Sequence, residues 1–297
     1  MSSQLGCRYL IAGIVLFMSM FPAASMARSF DDIMESGYIS VAVYNDFPPY
    51  SFKQGDEPKG IDVDVAKEVA KQLELDIRWM WITADENLED DMRNAIWKGH
   101  IITREKADLM MRVPYDRKFS YAIDGYGLPK NEMVVMFGPY HRESWAILKD
   151  TKKTNNIDTL AIFQYEKIAV EIDSLPSFFL GATIGGRLRD NIIHSKDIFE
   201  AIDLLKKQEV AAVSGMRSQL EWGMPDIEPR FTINAAGLAA ISIKSWDIGM
   251  AVQQDFRQLA YAIEDQITLM VDDKRMQSIF DSYGITFEPA SLYQQSK

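Results

Sequence analysis

The chain has 297 residues, a formal net charge of −11 and a single cysteine. An acidic surface of this kind disfavours contact with nucleic acid and anionic lipid, so neither is expected as a partner. One cysteine excludes an internal disulfide, and the length suffices for one or two ordinary hydrophobic cores.

Residues 1–27 have the pattern of a secretory signal peptide. Arg8 precedes an almost continuous apolar run over 9–21, and small residues follow up to Ala27. The run is shorter than the roughly 20 apolar residues that span a bilayer, so we expect cleavage after Ala27 rather than an uncleaved anchor. Cys7 precedes the run, which argues against lipid attachment. We therefore expect a periplasmic protein without membrane insertion.

The first part of the remaining chain alternates between strand and helix patterns. The apolar spacing predicts strands over 38–44, 75–82 and 107–113 and helices over 61–73 and 88–98. Strands separated by helices predict an α/β domain with a mostly parallel sheet.

A second series of the same kind follows. The patterns predict strands over 168–172, 191–193, 210–214 and 230–235, and helices over 174–180, 195–207, 255–271 and 274–283. Two α/β series without a flexible joint predict two lobes packed across a cleft.

Several segments resemble the amino-acid type, or family 3, of periplasmic solute-binding proteins. Residues 41–52 (VAVYNDFPPYSF) resemble that family's first strand and its proline-aromatic loop, and residues 59–70 (KGIDVDVAKEVA) resemble its G-[FI]-D-[VI]-D helix. Residues 247–252 and 276–284 resemble the strand and helix that close the first lobe. The resemblance implies a bilobed α/β periplasmic-binding-protein fold of type II. Lobe I would comprise 28–140 plus 246–297, and lobe II would comprise 141–245, around a hinge and cleft.

The resemblance also suggests which residues would meet a ligand. Amino-acid binders of the family hold the ligand carboxylate with an arginine and a hydroxyl, and its ammonium with an aspartate of lobe II. Arg117 is the candidate arginine, with Arg112 as a rival, and Ser174 would keep the hydroxyl. Asp173 would repel a carboxylate. Ser214 stands in place of the expected aspartate, so an amino-acid ligand would lack its usual ammonium partner.

Aromatic residues complete the candidate surface. Tyr44, Phe47 and Tyr50 belong to the first strand and its loop, and at least Phe47 or Tyr50 is expected to face the cleft. Tyr121 and Tyr126 lie in an insertion over about 119–132, and a shorter insertion covers 100–105. Loops added at a cleft rim can block small ligands or form a surface that binds another protein.

Two short segments resemble one smaller family in particular. Residues 108–114 (DLMMRVP) and 137–145 (FGPYHRESW) resemble the MxaJ family of accessory proteins encoded beside bacterial methanol dehydrogenases. That resemblance implies protein contacts with methanol dehydrogenase or its cytochrome in quinoprotein methanol oxidation. The alternative is the periplasmic substrate-binding component of an ABC transporter for amino acids or other small polar solutes.

Catalysis is the weakest of the possibilities. The chain has no G-x-S-x-G motif, and its three histidines lack metal-ligand spacing. The acidic residues over 85–91 predict a solvated helix start rather than a calcium site. We therefore predict a protein that is not an enzyme and that holds no cofactor or metal of its own.

Overall fold

The computed structural model describes residues 28–225 and 227–294. The predicted signal peptide, with Cys7, lies outside the described residues. Within those residues, no helix combines the length and the apolar character needed to cross a bilayer.

The first part of the chain forms three strands, a hairpin and three helices. The elements are α1 (Phe30–Ser36), β1 (Tyr38–Tyr44), β2 (Phe52–Gln54), β3 (Glu57–Lys59), α2 (Ile61–Gln72), β4 (Asp76–Ile82), α3 (Leu88–Met92) and β5 (Leu109–Pro114). After α3 the winding changes to a π-helix over Arg93–Trp97. The helix predicted over 88–98 is therefore present, but only its first half is α-helical.

The rest of the chain crosses to the second series and returns. The elements are α4 (Arg117–Ser120), β6 (Val134–Asp150), β7 (Ile168–Glu171), α5 (Leu175–Ala182), β8 (Ile192–Ser195), α6 (Ile198–Lys206), β9 (Ala212–Met216), α7 (Arg217–Gly223), β10 (Phe231–Asn234), β11 (Ser245–Gln253), α8 (Arg257–Asp272), α9 (Arg275–Ser282) and α10 (Ser291–Gln294). Short 3-10 turns cover Leu160–Gln164, Thr183–Gly186, Arg189–Asn191, Leu238–Ala240 and Gln254–Phe256.

One long strand joins the two halves of the sheet. The strand order is β4-β1-β5-β11-β6-β9-β7-β8, and β10 also pairs with β6. Residues 134–144 of β6 lie beside β11, whereas residues 145–149 lie beside β9. The pairs β1–β4, β1–β5, β7–β8 and β7–β9 are parallel, and β6 and β11 run antiparallel to their neighbours. β6 therefore crosses between the halves, and the chain returns to the first half at β11.

Each half of the sheet is buried on both faces. Val41 and Ala42 follow one another on β1 and belong to different hydrophobic clusters, because neighbouring side chains of a strand point to opposite faces. Ile147 and Leu148 of β6 are divided in the same way in the second half. Helices covering both faces of a sheet explain why these strands are continuously apolar.

The predicted α/β class is confirmed, and the predicted elements differ from the observed ones mainly by a few residues at their ends. The sequence pattern does not predict β6 as a strand. Gly138 and Pro139 interrupt its pattern, and proline is rare within sheets except at edges and bulges. Here they lie opposite a register shift in β11, between Ile248 and Met250. The lobe bounds at 140/141 and 245/246 stay predictions.

Candidate functional site

The loop of prolines and aromatic residues is held against the first turn of α2. The backbone N–H groups of Ile61 and Asp62 donate to the carbonyl oxygens of Pro49 (3.0 Å) and Tyr50 (2.9 Å). Gly60 permits this contact, since its φ is +122° and a Cβ atom there would lie 2.1 Å from the Tyr50 oxygen. The loop thus satisfies N–H groups that a helix start leaves without intrahelical partners, and its own position is fixed in return.

Tyr50 belongs to a buried polar cluster with Glu143 of β6 and Ser218 of α7. The hydroxyl groups of Tyr50 and Ser218 both donate to Glu143 Oε2, and the two hydroxyls contact each other. Glu143 Oε1 accepts the backbone N–H of Ser144 at 2.9 Å. Burial, reinforced by the negative charge of Glu143, raises the pKa of Tyr50 well above its ordinary value. The cluster ties the loop before α2 to the second half of the chain.

Arg112 is an extra residue in the pairing of β5 with β11. Met111 is opposite Met250 and Val113 is opposite Gly249, so Arg112 has no partner across the ladder. Its φ is +62°, a left-handed conformation that is uncommon for a residue other than glycine. A β-bulge re-aims a side chain, and bulges recur beside functional sites. The bulge therefore explains how a charged side chain leaves a strand of buried apolar residues at this point.

The guanidinium of Arg112 lies over aromatic rings. Its Cζ atom lies 3.3 Å from the ring centre of Tyr50 and 5.1 Å from that of Phe47. Nη2 donates only to the sulfur of Met216, at 3.9 Å, and Nη1 is buried without a hydrogen-bond partner among the described residues. Burial by itself lowers the pKa of the Arg112 guanidinium. The neighbouring Tyr50 and Asp62 outweigh this effect of burial, so the pKa is raised.

A cavity of about 330 Å³ opens beside this arginine. Its wall is largely apolar and comes from β1, the start of α3, β5, β9 and β11. The lining residues are Tyr44, Phe47, Ala84, Leu88, Arg112, Pro114, Met216, Trp246 and Ile248. Among the described residues, Arg112 is the one charged side chain of this lining. The cavity lies where the two halves of the sheet meet, since Met216 is opposite Trp145 of β6 and Trp246 is opposite Glu143.

The nearby carboxylates are engaged with tyrosines and do not line the cavity. Asp62 accepts the hydroxyl of Tyr140 at 2.6 Å, and burial raises the pKa of Asp62. Asp91 accepts the hydroxyl of Tyr44 at 2.7 Å. Asp91 is only 6% exposed, so the expectation of a fully solvated acidic helix start is wrong for this residue. In the described part of the chain, no group of three or more possible metal ligands occurs.

Three of the other predicted site residues lie away from this cavity. Arg117 is exposed on α4 and lines a separate hollow of about 550 Å³ with Tyr121, beside the start of β6 and of α8. Tyr126 is 93% exposed in the loop that follows. The structure therefore brings Arg112, and not Arg117, together with Tyr44, Phe47 and Tyr50.

The two predicted serines have local roles. Ser174 caps α5, because its hydroxyl accepts the N–H of Ser177 at 3.2 Å. Ser214 is buried in the sheet, where its hydroxyl donates to the carbonyl oxygen of Ala146 at 3.2 Å. Neither serine is among the residues that line the cavity beside Arg112.

The sequence patterns do not predict a site role for Glu143, Ser218, Met216 or Trp246. Tyr50 and Ser218 are 168 positions apart in the chain, so no local pattern could indicate their contact. Of these residues, Glu143 has the clearest sequence signal, because it is a carboxylate in the segment that enters the second half.

The arrangement of two α/β halves joined by β6, with an aromatic cavity at their junction, is a bilobed α/β fold. Solved structures share this fold. An ancestral cationic amino acid solute-binding protein superposes with a TM-score of 0.64 at 17% identity, covering 85% of this chain and 98% of that chain. A receptor for L-cysteine from Neisseria gonorrhoeae gives 0.54 at 18% identity, with 86% and 93% covered. An amino acid transporter substrate-binding protein from Streptococcus pneumoniae, bound to L-arginine, gives 0.55 at 13% identity, with 86% and 98% covered.

Residues 39–286 match the family model of bacterial extracellular solute-binding proteins, family 3. The match covers most of the chain, and the chain therefore belongs to this family. The predicted family and the predicted bilobed fold are both confirmed. No curated protein sequence matches the chain.

Proposed function

We propose that this protein binds a small polar solute, without chemical turnover, in the cavity beside Arg112. The observation that carries the proposal is the cavity itself. It holds one buried guanidinium with an unpartnered nitrogen among aromatic and aliphatic side chains. Ligand sites in proteins are typically apolar concavities with a few polar groups that fix orientation. The names of similar solved structures describe amino acid binding by those proteins, which supports a solute of similar size here.

Solute capture in this proposal is a closure of two lobes about β6 and β11. The proposed lobes are residues 28–140 plus 246–297 and residues 141–245. Tyr50 belongs to the first of these and Ser218 to the second, so their contact at Glu143 would form on closure and break on opening. The register shifts of β11 near Gly249 give the crossing an irregular segment that can absorb rotation.

The proposed location is the periplasm, after removal of residues 1–27. The family is one of extracellular proteins, which supports export. Intact-mass measurement of chain recovered from the periplasm of an expression host tests this step. We expect the mass of a chain that begins at Arg28. The mass of a chain that keeps the apolar run would contradict cleavage.

Thermal unfolding of the exported chain with a panel of organic acids, amino acids and amines tests solute binding. A ligand at 100 times its dissociation constant stabilises the folded state by about 2.7 kcal/mol, which raises the melting temperature measurably. We expect a saturable shift that is lost in Arg112→Met and kept in Arg187→Ala, which removes an exposed arginine of the second half. Unchanged melting across the whole panel contradicts the proposal.

A second candidate is the accessory role in quinoprotein methanol oxidation. The comparisons give no indication of that role. The supporting observation is the loop over 121–128, which exposes the large side chains Tyr121, Ile123, Tyr126 and Leu128 to solvent. Exposed aromatic residues are enriched in protein interfaces.

Purified methanol dehydrogenase and its cytochrome provide the direct test of this second candidate. Binding to either protein should weaken when Tyr121→Ser and Tyr126→Ser are combined, and should persist in Tyr165→Ser, which alters an exposed tyrosine elsewhere. Absence of binding to both proteins at micromolar concentration excludes the accessory role.

A further inference from the structure

We infer that the solute is a carboxylate anion with an apolar body and no ammonium group, an inference that rests on the proposed solute-binding function. This ligand class differs from amino acids because it lacks the positively charged ammonium group. Three features of the cavity carry the inference: the unpartnered donor of Arg112, the chemistry of the wall and the occupied state of the nearby carboxylates.

Arg112 has one buried donor, Nη1, without a partner in the described part of the protein, whereas Nη2 donates to the sulfur of Met216. The guanidinium is only 7% exposed, yet no carboxylate within residues 28–225 and 227–294 lies at salt-bridge distance from it. Its central carbon lies over the ring of Tyr50, while the N–H groups of a guanidinium lie at the edge of its plane. A buried donor without a partner is costly. A carboxylate matches the guanidinium fork with two parallel hydrogen bonds and removes that cost.

The wall of the cavity fits an apolar ligand body. Phe47, Leu88, Trp246 and Ile248 present rings and aliphatic groups, and Met216 adds a flexible thioether. The volume of about 330 Å³ lies at the small end of ligand cavities, which span about 300–1,000 Å³. A short aliphatic chain or a single ring fits this volume.

Among the described residues, no carboxylate lines the wall, so an ammonium group would have no anionic partner there. Asp62, Asp91 and Glu143 lie near the site, and each accepts a tyrosine hydroxyl. Asp62 and Glu143 act on the charge of Arg112, but none of the three carboxylates lines the cavity. An α-amino acid would place its ammonium against apolar groups and Arg112, which penalises it relative to the plain acid.

The backbone conformation at the Arg112 bulge also supports a binding role for this residue. A left-handed arginine stores backbone strain, and such strain persists where the surrounding fold enforces it, commonly at binding sites. The strain directs the guanidinium to the junction of the halves, where it meets Tyr50 of one proposed lobe and Met216 of the other.

Two matched ligand triplets test the inference by titration calorimetry on the exported chain. They are 3-phenylpropanoate, phenylalanine and phenethylamine, and hexanoate, norleucine and pentylamine. Each triplet keeps one apolar body and changes the charged groups from anion to zwitterion to cation. We expect binding of at least one acid, with its amino acid and amine at least tenfold weaker.

Variants of Arg112 separate a ligand contact from a structural role. Arg112→Lys keeps the charge but loses the fork, and we expect at least tenfold weaker binding of the acid. Arg112→Met should abolish it, and circular dichroism and melting show whether each variant is folded. Arg187→Ala should bind like the unaltered chain.

The outcomes distinguish the inference from the proposed function. An amino acid or amine that binds more tightly than its matched acid overturns the ligand class and leaves solute binding intact. If folded Arg112→Met binds the acid as tightly as the unaltered chain does, the ligand class is overturned as well. Binding of guanidinium compounds gained in Arg112→Ala would show that Arg112 itself occupies the site, which also overturns it. If neither triplet binds and no compound of the broad panel binds, the proposed solute-binding function is wrong.

Discussion

The guanidinium of Arg112 lies over the ring of Tyr50, with the guanidinium carbon 3.3 Å from the centre of the ring. Tyr50 donates its hydroxyl in turn to Glu143, so one aromatic side chain connects the bulge of β5 to the strand that crosses between the halves. A buried cation–π contact contributes about 2 kcal/mol. The pair therefore positions the charged group of the cavity and links it to the contact between the halves.

The hydroxyl of Tyr50 should stabilise the fold measurably. Tyr50→Phe removes one of the donors to Glu143 and leaves that buried carboxylate with Ser218 and the N–H of Ser144. We expect a loss of about 1–3 kcal/mol in the free energy of unfolding by urea. Tyr126→Phe alters an exposed tyrosine and should change it by less than about 0.5 kcal/mol. Equal stability of both variants would show that the buried cluster is energetically neutral.

Gly60 should tolerate no side chain. In Gly60→Ala the new Cβ would lie 2.1 Å from the Tyr50 oxygen, so the loop and the start of α2 must separate. We expect a loss of at least about 2 kcal/mol on denaturant unfolding. Gly55→Ala is the matched control, because Gly55 also has a positive φ but no atom within 4 Å of the added Cβ. Its cost should be about 1–2 kcal/mol from conformation alone. If the Gly55 substitution costs as much, the clash with Tyr50 is not the cause.

His141 should make the protein sensitive to acid. Burial, followed by the positive charge of Arg112, lowers the pKa of His141 to about 3, against about 6.5 in an unfolded chain. Between these values the unfolded state binds a proton that the folded state does not, so stability is lost as pH falls below 6.5. The slope should approach about 1.4 kcal/mol per pH unit.

A substitution isolates the contribution of His141 to this slope. His141→Phe keeps a ring against Phe280 and Phe287, and urea unfolding between pH 7.5 and 4.5 should then show a flatter pH dependence. His194→Gln, at an exposed position, should keep the slope of the unaltered chain. A slope that is unchanged in His141→Phe would assign the acid sensitivity to other groups.

Trp246 should report on the cavity. It lines the cavity and lies 5.0 Å, ring centre to ring centre, from Trp145. A ligand with an apolar body displaces water from this wall, so tryptophan emission should move to shorter wavelength as hexanoate or 3-phenylpropanoate saturates the site. The change should be small in Trp246→Phe and kept in Trp79→Phe, since Trp79 packs on the far strand β4. A signal that survives in Trp246→Phe would place the ligand elsewhere.

The alternation of strands and helices could be read from the sequence because it depends on local spacing. Residues 61–73 repeat apolar side chains on one helical face, and the observed helix is Ile61–Gln72. The aromatic loop at Phe47 and Tyr50 was identified from its motif alone. Arg112 entered only as a rival to Arg117, because its direction depends on a bulge that no local pattern reveals.

The sequence by itself determined the α/β class and the family, since periodic burial and short motifs are local properties of the chain. Only the tertiary structure decided which arginine meets the aromatic loop, and that Glu143 and Ser218 meet Tyr50. Those contacts depend on strand register and on residues up to 168 positions apart, which pairing across the sheet brings together.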